Sequence, residues 1–159
     1  MVAVGDVDHI VEGVVNSAKT VVPGDSLGAV ISKEAKERIE RYITQAEEQG
    51  ATILLDSRNT VVPGKENGFY VGATVIDNVT PDMDIAKDEV FGPVLSIIRV
   101  KTVEDAIALQ NTSNYGNGAS VFTQSGPLAT YISEKLKAGM IGINIGVPVP
   151  REPFSFWCG

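Results

Sequence analysis

The sequence predicts an α/β fold of three layers (α/β/α), with helices on both faces of a mainly parallel sheet. Short apolar runs alternate with segments of helical periodicity, which is the pattern of this fold class. The run Val94–Val100 is apolar without alternation, as in a strand that is buried on both faces. No repeat or low-complexity linker divides the 159 residues. One domain over residues 1–159 is therefore predicted.

The first half of the chain predicts two helices and then two strands. Valines and an isoleucine share one helical face in the first segment, with Asp6 as N-cap, although valine also favours a strand there. The second segment is the clearest helix, because Ser32 can cap it and Gly50 can end it. The elements are the helices Asp6–Ala18 and Ser32–Gly50 and the strands Ala51–Leu55 and Tyr70–Ile76.

In the second half, three predicted strands alternate with two helices. Thr102 and Asp105 have the spacing of a capping box, and Pro127 suits the first position of a helix. The elements are the strand Val94–Val100, the helix Val103–Asn111, the strand Ala119–Thr123, a helix from Pro127 to Gly139, and the strand Met140–Ile145. After Gly146 the chain is rich in proline and is predicted to be irregular.

Composition excludes several classes of function. With 13 Lys and Arg against 20 Asp and Glu, the net charge is -7, so nucleic acid is not an expected partner. The single cysteine, Cys158, and the single histidine, His9, exclude an internal disulfide and a multi-histidine metal site. No metal is predicted. Neither a membrane-spanning run nor a secretory signal is expected, and we predict a cytoplasmic protein.

The most informative stretch is Lys87–Val94, with the sequence KDEVFGPV. It places a carboxylate, Glu89, and an aromatic ring, Phe91, directly before a predicted strand. One interpretation is a solvated glutamate beside a phenylalanine that plugs the core. The other is a cofactor site, in which the carboxylate accepts hydrogen bonds from ribose hydroxyls and the ring packs on a cofactor.

This stretch resembles the E-x-F-G-P-V motif of the aldehyde dehydrogenase superfamily. The resemblance implies that Glu89 binds the nicotinamide-side ribose of NAD and that Phe91 packs beside the nicotinamide. Further segments between Asp25 and Phe156 are similar to the same superfamily. They are GDSLGAVISKEAKERIERYI and FYVGATVIDNV, in which Ala29 and Ala73 stand where the family usually has proline.

Two segments are similar to one branch of the superfamily. They are NYGNGASVFT, from Asn114 to Thr123, and GMIGINIGVPVP, from Gly139 to Pro150. That branch is the coenzyme A-acylating methylmalonate-semialdehyde dehydrogenases, which also act on malonate semialdehyde. Within these segments the resemblance implies that Asn144 holds a loop near the active site. PFSF then implies that Phe154 and Phe156 lie along the substrate tunnel.

The family's nucleophile is a cysteine that attacks the aldehyde and forms a thiohemiacetal. Hydride transfer to NAD then leaves a thioester, and coenzyme A accepts the acyl group in the acylating branch. The resemblance places that cysteine shortly before Met1 and the dinucleotide-binding domain outside the chain. Cys158 is the alternative nucleophile, but it stands where relatives carry a small residue. No catalytic residue is therefore assigned, and we expect no cofactor to bind this chain alone.

Three hypotheses of function follow. The first is a fragment of an NAD-dependent aldehyde dehydrogenase that is inactive alone and whose complete form takes a small aldehyde as substrate. The second is a non-catalytic binding or assembly module, in which an exposed edge at Met140–Ile145 would favour a homo-oligomer. The third is a hydrolytic aldehyde dehydrogenase, which uses water in place of coenzyme A.

Overall fold

The computed structural model describes residues 1–149, and this part of the chain forms five helices and seven short strands. Their order is β1 (Val2–Val4), α1 (Asp8–Ala18), α2 (Lys33–Glu48), β2 (Thr52–Leu55), β3 (Thr74–Asp77), α3 (Asp84–Lys87), β4 (Val94–Ser96), β5 (Ile98–Val100), α4 (Val103–Asn111), β6 (Gly118–Val121), α5 (Gly126–Lys135) and β7 (Met140–Ile143).

The chain divides into two compact units, Met1–Val100 and the part from Lys101 onward. The single domain expected from the sequence stays a prediction, and each unit is described by itself. Within residues 1–149, three of the four strand pairings are parallel, and the pairing of β2 with β3 is antiparallel. The mainly parallel α/β class is thereby confirmed.

In the first unit, one stretch of chain joins two sheets. β4 pairs with β3, and β5 pairs with β1, both in parallel. Only Ile97 separates β4 from β5, and its N–H donates to the carbonyl of Ile76 on the β3 side. The N–H of the next residue, Ile98, donates instead to the carbonyl of Met1. The predicted strand Val94–Val100 thus forms as a strand that changes neighbours at its centre.

Two adjacent residues of β3 show how the first unit is layered. Val75 packs with Val11 of α1, and Ile76 packs with Ile39 and Ile43 of α2. Since successive side chains of a strand point to opposite faces, α1 and α2 cover opposite faces of β3. This is the α/β/α layering that the sequence predicts.

In the second unit, β6 and β7 are parallel and are connected through α5, as parallel strands require a crossover. The capping box of α4 is present as predicted: Thr102 accepts from the Asp105 N–H, and the Asp105 carboxylate accepts from the Thr102 N–H. Helix α4 also has the predicted bounds.

Several local predictions at the starts of elements were wrong. The first helix begins at Asp8 after Val7, which makes no side-chain cap, so Asp6 is not its N-cap. Strand β1 was not predicted, because three residues carry too little pattern. Pro127 is the second residue of α5, whose cap is Ser125.

Two elements differ in length or burial from their prediction. Helix α5 stops at Lys135 instead of Gly139, because Leu136 is already extended. The strand Val94–Val100 is half-buried apart from the fully buried Ile97, so the predicted burial of the whole strand on both faces was wrong.

Candidate functional site

The residues of the predicted cofactor motif lie in a turn between α3 and β4, which we call the 88–92 turn (Asp88–Gly92). Helix α3 ends at Lys87, and β4 begins at Val94 in parallel with β3. Glu89 is exposed, and Phe91 is 75% exposed. Phe91 therefore does not plug the core, and the interpretation of this stretch as a core-filling loop is wrong for its aromatic residue.

The backbone of Phe91 is in the left-handed region, with φ +56°. This conformation is unfavourable for a bulky side chain and costs about 1–2 kcal/mol. Such strain persists only when the surrounding structure determines the conformation, and it is concentrated at functional sites. Phe91 thus combines an exposed aromatic ring with a strained backbone.

Helix α2 supports the opposite side of the 88–92 turn. The Arg38 guanidinium donates from Nη2 to the carbonyl of Val90 at 3.1 Å. The Tyr42 hydroxyl donates to Oδ2 of Asp88 at 2.7 Å. Hydrogen bonding to Asp88 also raises the pKa of Tyr42, which keeps the hydroxyl protonated as the donor. These two supporting residues were not among the predicted site residues.

Gly92 closes the turn against the same helix. A Cβ at this position would lie 2.6 Å from Cδ1 and 2.8 Å from Cγ1 of Ile39, which is completely buried. Only glycine allows this close approach. The glycine of the motif therefore has a packing reason that is visible in the structure and cannot be derived from its position in the sequence.

An open apolar groove of about 300 Å³ lies beside the start of β4. Gly92 and Pro93 contribute to one side, and α1 contributes Val14 and Ala18 to its lining. Ala73, at the position where the family usually has proline, also lines it. The groove places apolar surface next to the base of the 88–92 turn.

In the second unit, Asn144 follows β7 and also has a left-handed backbone, with φ +55°. Its amide side chain is bonded twice to the backbone of Thr123: Oδ1 accepts from the N–H, and Nδ2 donates to the carbonyl, both at 3.0 Å. The Asn144 N–H donates to the carbonyl of Val121. Asn144 thus ties the chain after β7 to the chain after β6.

The remaining predicted residues have no described role. Phe154, Phe156 and Cys158 lie outside residues 1–149, so the predictions for them stay predictions. His9 is exposed on α1. Over the described range, no three His, Cys, Asp or Glu side chains are grouped in a way that would hold a metal ion. None of the helices formed by residues 1–149 has the length and apolar character needed to cross a membrane.

The family model and the most similar sequences agree on one protein family. The model of the aldehyde dehydrogenase family matches residues 1–157. The chain is 47% identical over 130 residues to malonate-semialdehyde dehydrogenase 2 of Shouchella clausii, which covers 82% of this chain and 26% of the relative. It is 44% identical over 162 residues to the acylating, mitochondrial methylmalonate-semialdehyde dehydrogenase of Arabidopsis thaliana, covering 98% of this chain and 27% of the relative.

Solved structures agree with these sequence matches. The methylmalonate-semialdehyde dehydrogenase of Oceanimonas doudoroffii superposes with a TM-score of 0.93 at 44% identity, over 98% of this chain and 33% of that one. An aldehyde dehydrogenase of Mycobacterium tuberculosis complexed with NAD+ superposes with a TM-score of 0.86 at 35% identity, over 99% and 34% of the two chains. The chain thus spans about a third of the length of these two proteins.

Proposed function

The chain belongs to the aldehyde dehydrogenase family, and on that premise we propose that it forms most of the catalytic domain of an NAD-dependent malonate- or methylmalonate-semialdehyde dehydrogenase. The acyl product is a coenzyme A thioester, as the name of the acylating Arabidopsis relative suggests. The observation that supports a role in cofactor binding is the 88–92 turn, which exposes Glu89 and Phe91 at the start of a parallel strand.

Each of the two exposed side chains has a distinct task in this proposal. The Glu89 carboxylate accepts hydrogen bonds from the two hydroxyls of the nicotinamide-side ribose, since an ionised carboxylate is a pure acceptor with two oxygens. The ring of Phe91 packs against the nicotinamide and limits its orientation. NAD supplies the hydride acceptor when bound. The strained backbone of Phe91 fits a residue that is held in place before the ligand arrives.

Asn144 has a supporting role in the same proposal. Its paired hydrogen bonds with Thr123 hold the segment that follows β7 and leads toward the predicted substrate-tunnel residues. We assign it to loop positioning and not to chemistry. The chemistry itself requires a thiolate nucleophile near the nicotinamide, as well as contacts to the rest of NAD, and we propose that other parts of the complete enzyme provide both.

A chimera tests the proposal directly. The chain replaces the matching third of the Oceanimonas doudoroffii enzyme, which it resembles over 98% of its own length. We expect this chimera to reduce NAD with malonate or methylmalonate semialdehyde in the presence of coenzyme A. The isolated chain should produce no NADH, and robust production by the isolated chain, tested beside Cys158→Ser, would overturn that expectation.

In the chimera, Glu89→Gln should raise KM for NAD about tenfold, because the neutral amide has only one acceptor oxygen for the two ribose hydroxyls. Glu12→Gln is the matched control, since Glu12 is an exposed glutamate on α1. An unchanged KM for NAD in Glu89→Gln contradicts the assignment of the 88–92 turn to the cofactor. Acid release without acyl-coenzyme A formation would favour the hydrolytic alternative.

A further inference from the structure

Three residues of the 88–92 turn contact α2. Asp88 contacts α2 through its side chain, Val90 through its carbonyl, and Gly92 through its backbone surface. The Val90 side chain also packs against the core cluster of α2. The two residues between them, Glu89 and Phe91, are exposed. Helix α2 therefore holds the turn at its first residue, at its centre and at its last residue.

The supporting residues of α2 share one side of the helix. Tyr42 is four residues after Arg38 and three residues after Ile39, so it lies next to both on the helix surface. They reach across a large separation in sequence, 52 residues from Arg38 to Val90 and 46 residues from Tyr42 to Asp88. These contacts hold the residues on both sides of Phe91, whose φ is +56°.

Arg38 is less favourable for stability than a purely structural contact would require. Its Nε is buried and has no hydrogen-bond partner among the described residues. A buried donor without a partner lowers stability, and an apolar side chain of similar length would avoid that loss. The arginine is better explained by what its Nη2 does at the Val90 carbonyl than by its contribution to the stability of the unit.

We propose that Arg38 and Tyr42 are positioning residues, which hold the 88–92 turn so that Phe91 keeps its left-handed backbone and Glu89 and Phe91 face the ligand together. This inference rests on the proposed function of the turn. It adds that the geometry of the nicotinamide-side site is imposed by α2, through one bond to the turn's backbone and one to its first side chain.

The test uses NMR of the full 159-residue chain without nucleotide. A strong intraresidue contact between HN and Hα of Phe91 reports the positive φ. The Val94 N–H donates to the carbonyl of Gly92, the last residue of the turn, so its hydrogen exchange reports whether the turn is held. We expect Arg38→Met and Tyr42→Phe to weaken the Phe91 contact and to speed amide exchange of Val94 by about tenfold. Arg38→Lys, which can still donate to the Val90 carbonyl, should restore most of the signal.

Arg41→Met is the matched control, because Arg41 is an exposed arginine on the same helix. It should leave both signals unchanged. Thermal unfolding separates positioning from structure: Arg38→Met should unfold at the same temperature as the parent or higher. If Arg38→Met does not fold, Tyr42→Phe decides, since it removes a single hydroxyl.

The proposal is overturned if Phe91 keeps its strong HN–Hα contact and Val94 its slow exchange in both Arg38→Met and Tyr42→Phe. It is also overturned if their loss follows the unfolding temperature, with Arg41→Met equally affected. Because no nucleotide is present, this result is independent of the NAD kinetics of the chimera. A normal KM in Glu89→Gln with a disturbed turn in Arg38→Met would refute the cofactor role and leave the positioning role standing.

Discussion

Phe91 and Asn144 are both non-glycine residues with a left-handed backbone, but their side chains are used differently. The Asn144 amide compensates for its backbone conformation with two hydrogen bonds to Thr123. Asparagine is also among the residues that tolerate this region best. Phe91 has neither advantage, because its side chain is a large ring that is 75% exposed. The stability of the fold does not explain a phenylalanine there, and the proposed contact with the nicotinamide would.

Phe91→Gly should raise the free energy of unfolding by about 0.5–1 kcal/mol, because glycine adopts positive φ without a steric penalty, offset in part by greater freedom of the unfolded chain. Urea denaturation of the isolated chain measures this change. Phe91→Ala is the control that removes the ring and keeps the strained backbone, and it should not be stabilising. Equal stabilisation by both variants would show that the exposed ring, and not the backbone, is unfavourable.

At the scale of elements, α2 connects the core to the candidate site. Its buried face, which includes Ile39 and Ile43, packs on β3, and the adjacent Arg38 and Tyr42 contact the 88–92 turn. The Ser32 hydroxyl caps the helix by accepting from the Ala35 N–H at 3.2 Å. The cap therefore fixes the start of α2 six residues before Arg38.

Ser32→Ala should lower the free energy of unfolding by about 1 kcal/mol, because the first turn of α2 loses an acceptor for one of its free N–H groups. Chemical denaturation followed by circular dichroism is the measurement. Ser32→Asp keeps an acceptor at the same place and should retain the stability of the parent. A stable Ser32→Ala variant would mean that packing alone holds the start of α2.

At the scale of the whole first unit, one ion network joins three elements. Nε and Nη2 of Arg99 donate to both oxygens of Asp77 at the end of β3, and Nη1 donates to Asp8 at the start of α1. Asp77 is 4% exposed. The Arg99 guanidinium and then the Asn78 N–H lower the pKa of the Asp77 carboxyl below its usual range. Its charged form therefore stabilises the folded state.

Because the pKa of Asp77 is lower in the folded state, its contribution is complete above the unfolded value of 3.8 and is lost as the pH falls through the folded value. Asp77→Asn should lower the free energy of unfolding by about 1–3 kcal/mol near neutral pH, and the deficit should shrink as the pH falls below 3.8. Urea titrations at several pH values measure it. Asp25→Asn, at an exposed aspartate, should match the parent throughout, and a deficit in Asp77→Asn that does not depend on pH would contradict this explanation.

Local signals in the sequence were sufficient for most elements. The bounds of α4, the Ser32 cap and the capping box at Thr102 were all predicted, because each depends on contacts within a few residues. The motif around Glu89 and Phe91 was also sufficient to indicate the family, which the match over residues 1–157 confirms. Short elements such as β1 were not predicted, because their stability comes from a partner strand far away in the chain.

The sequence by itself determined the α/β class, the mainly parallel sheet and the two candidate residues of the motif, but it left their exposure open. Only the tertiary structure decided what supports them: the left-handed backbone of Phe91, the close approach of Gly92 to Ile39, and the bonds from Arg38 and Tyr42. The physical reason is the range of the contacts. The residues that form a cap or an apolar stripe lie within one or two turns of the same helix. The contact of α2 with the 88–92 turn, about 50 residues later, depends instead on how the core packs.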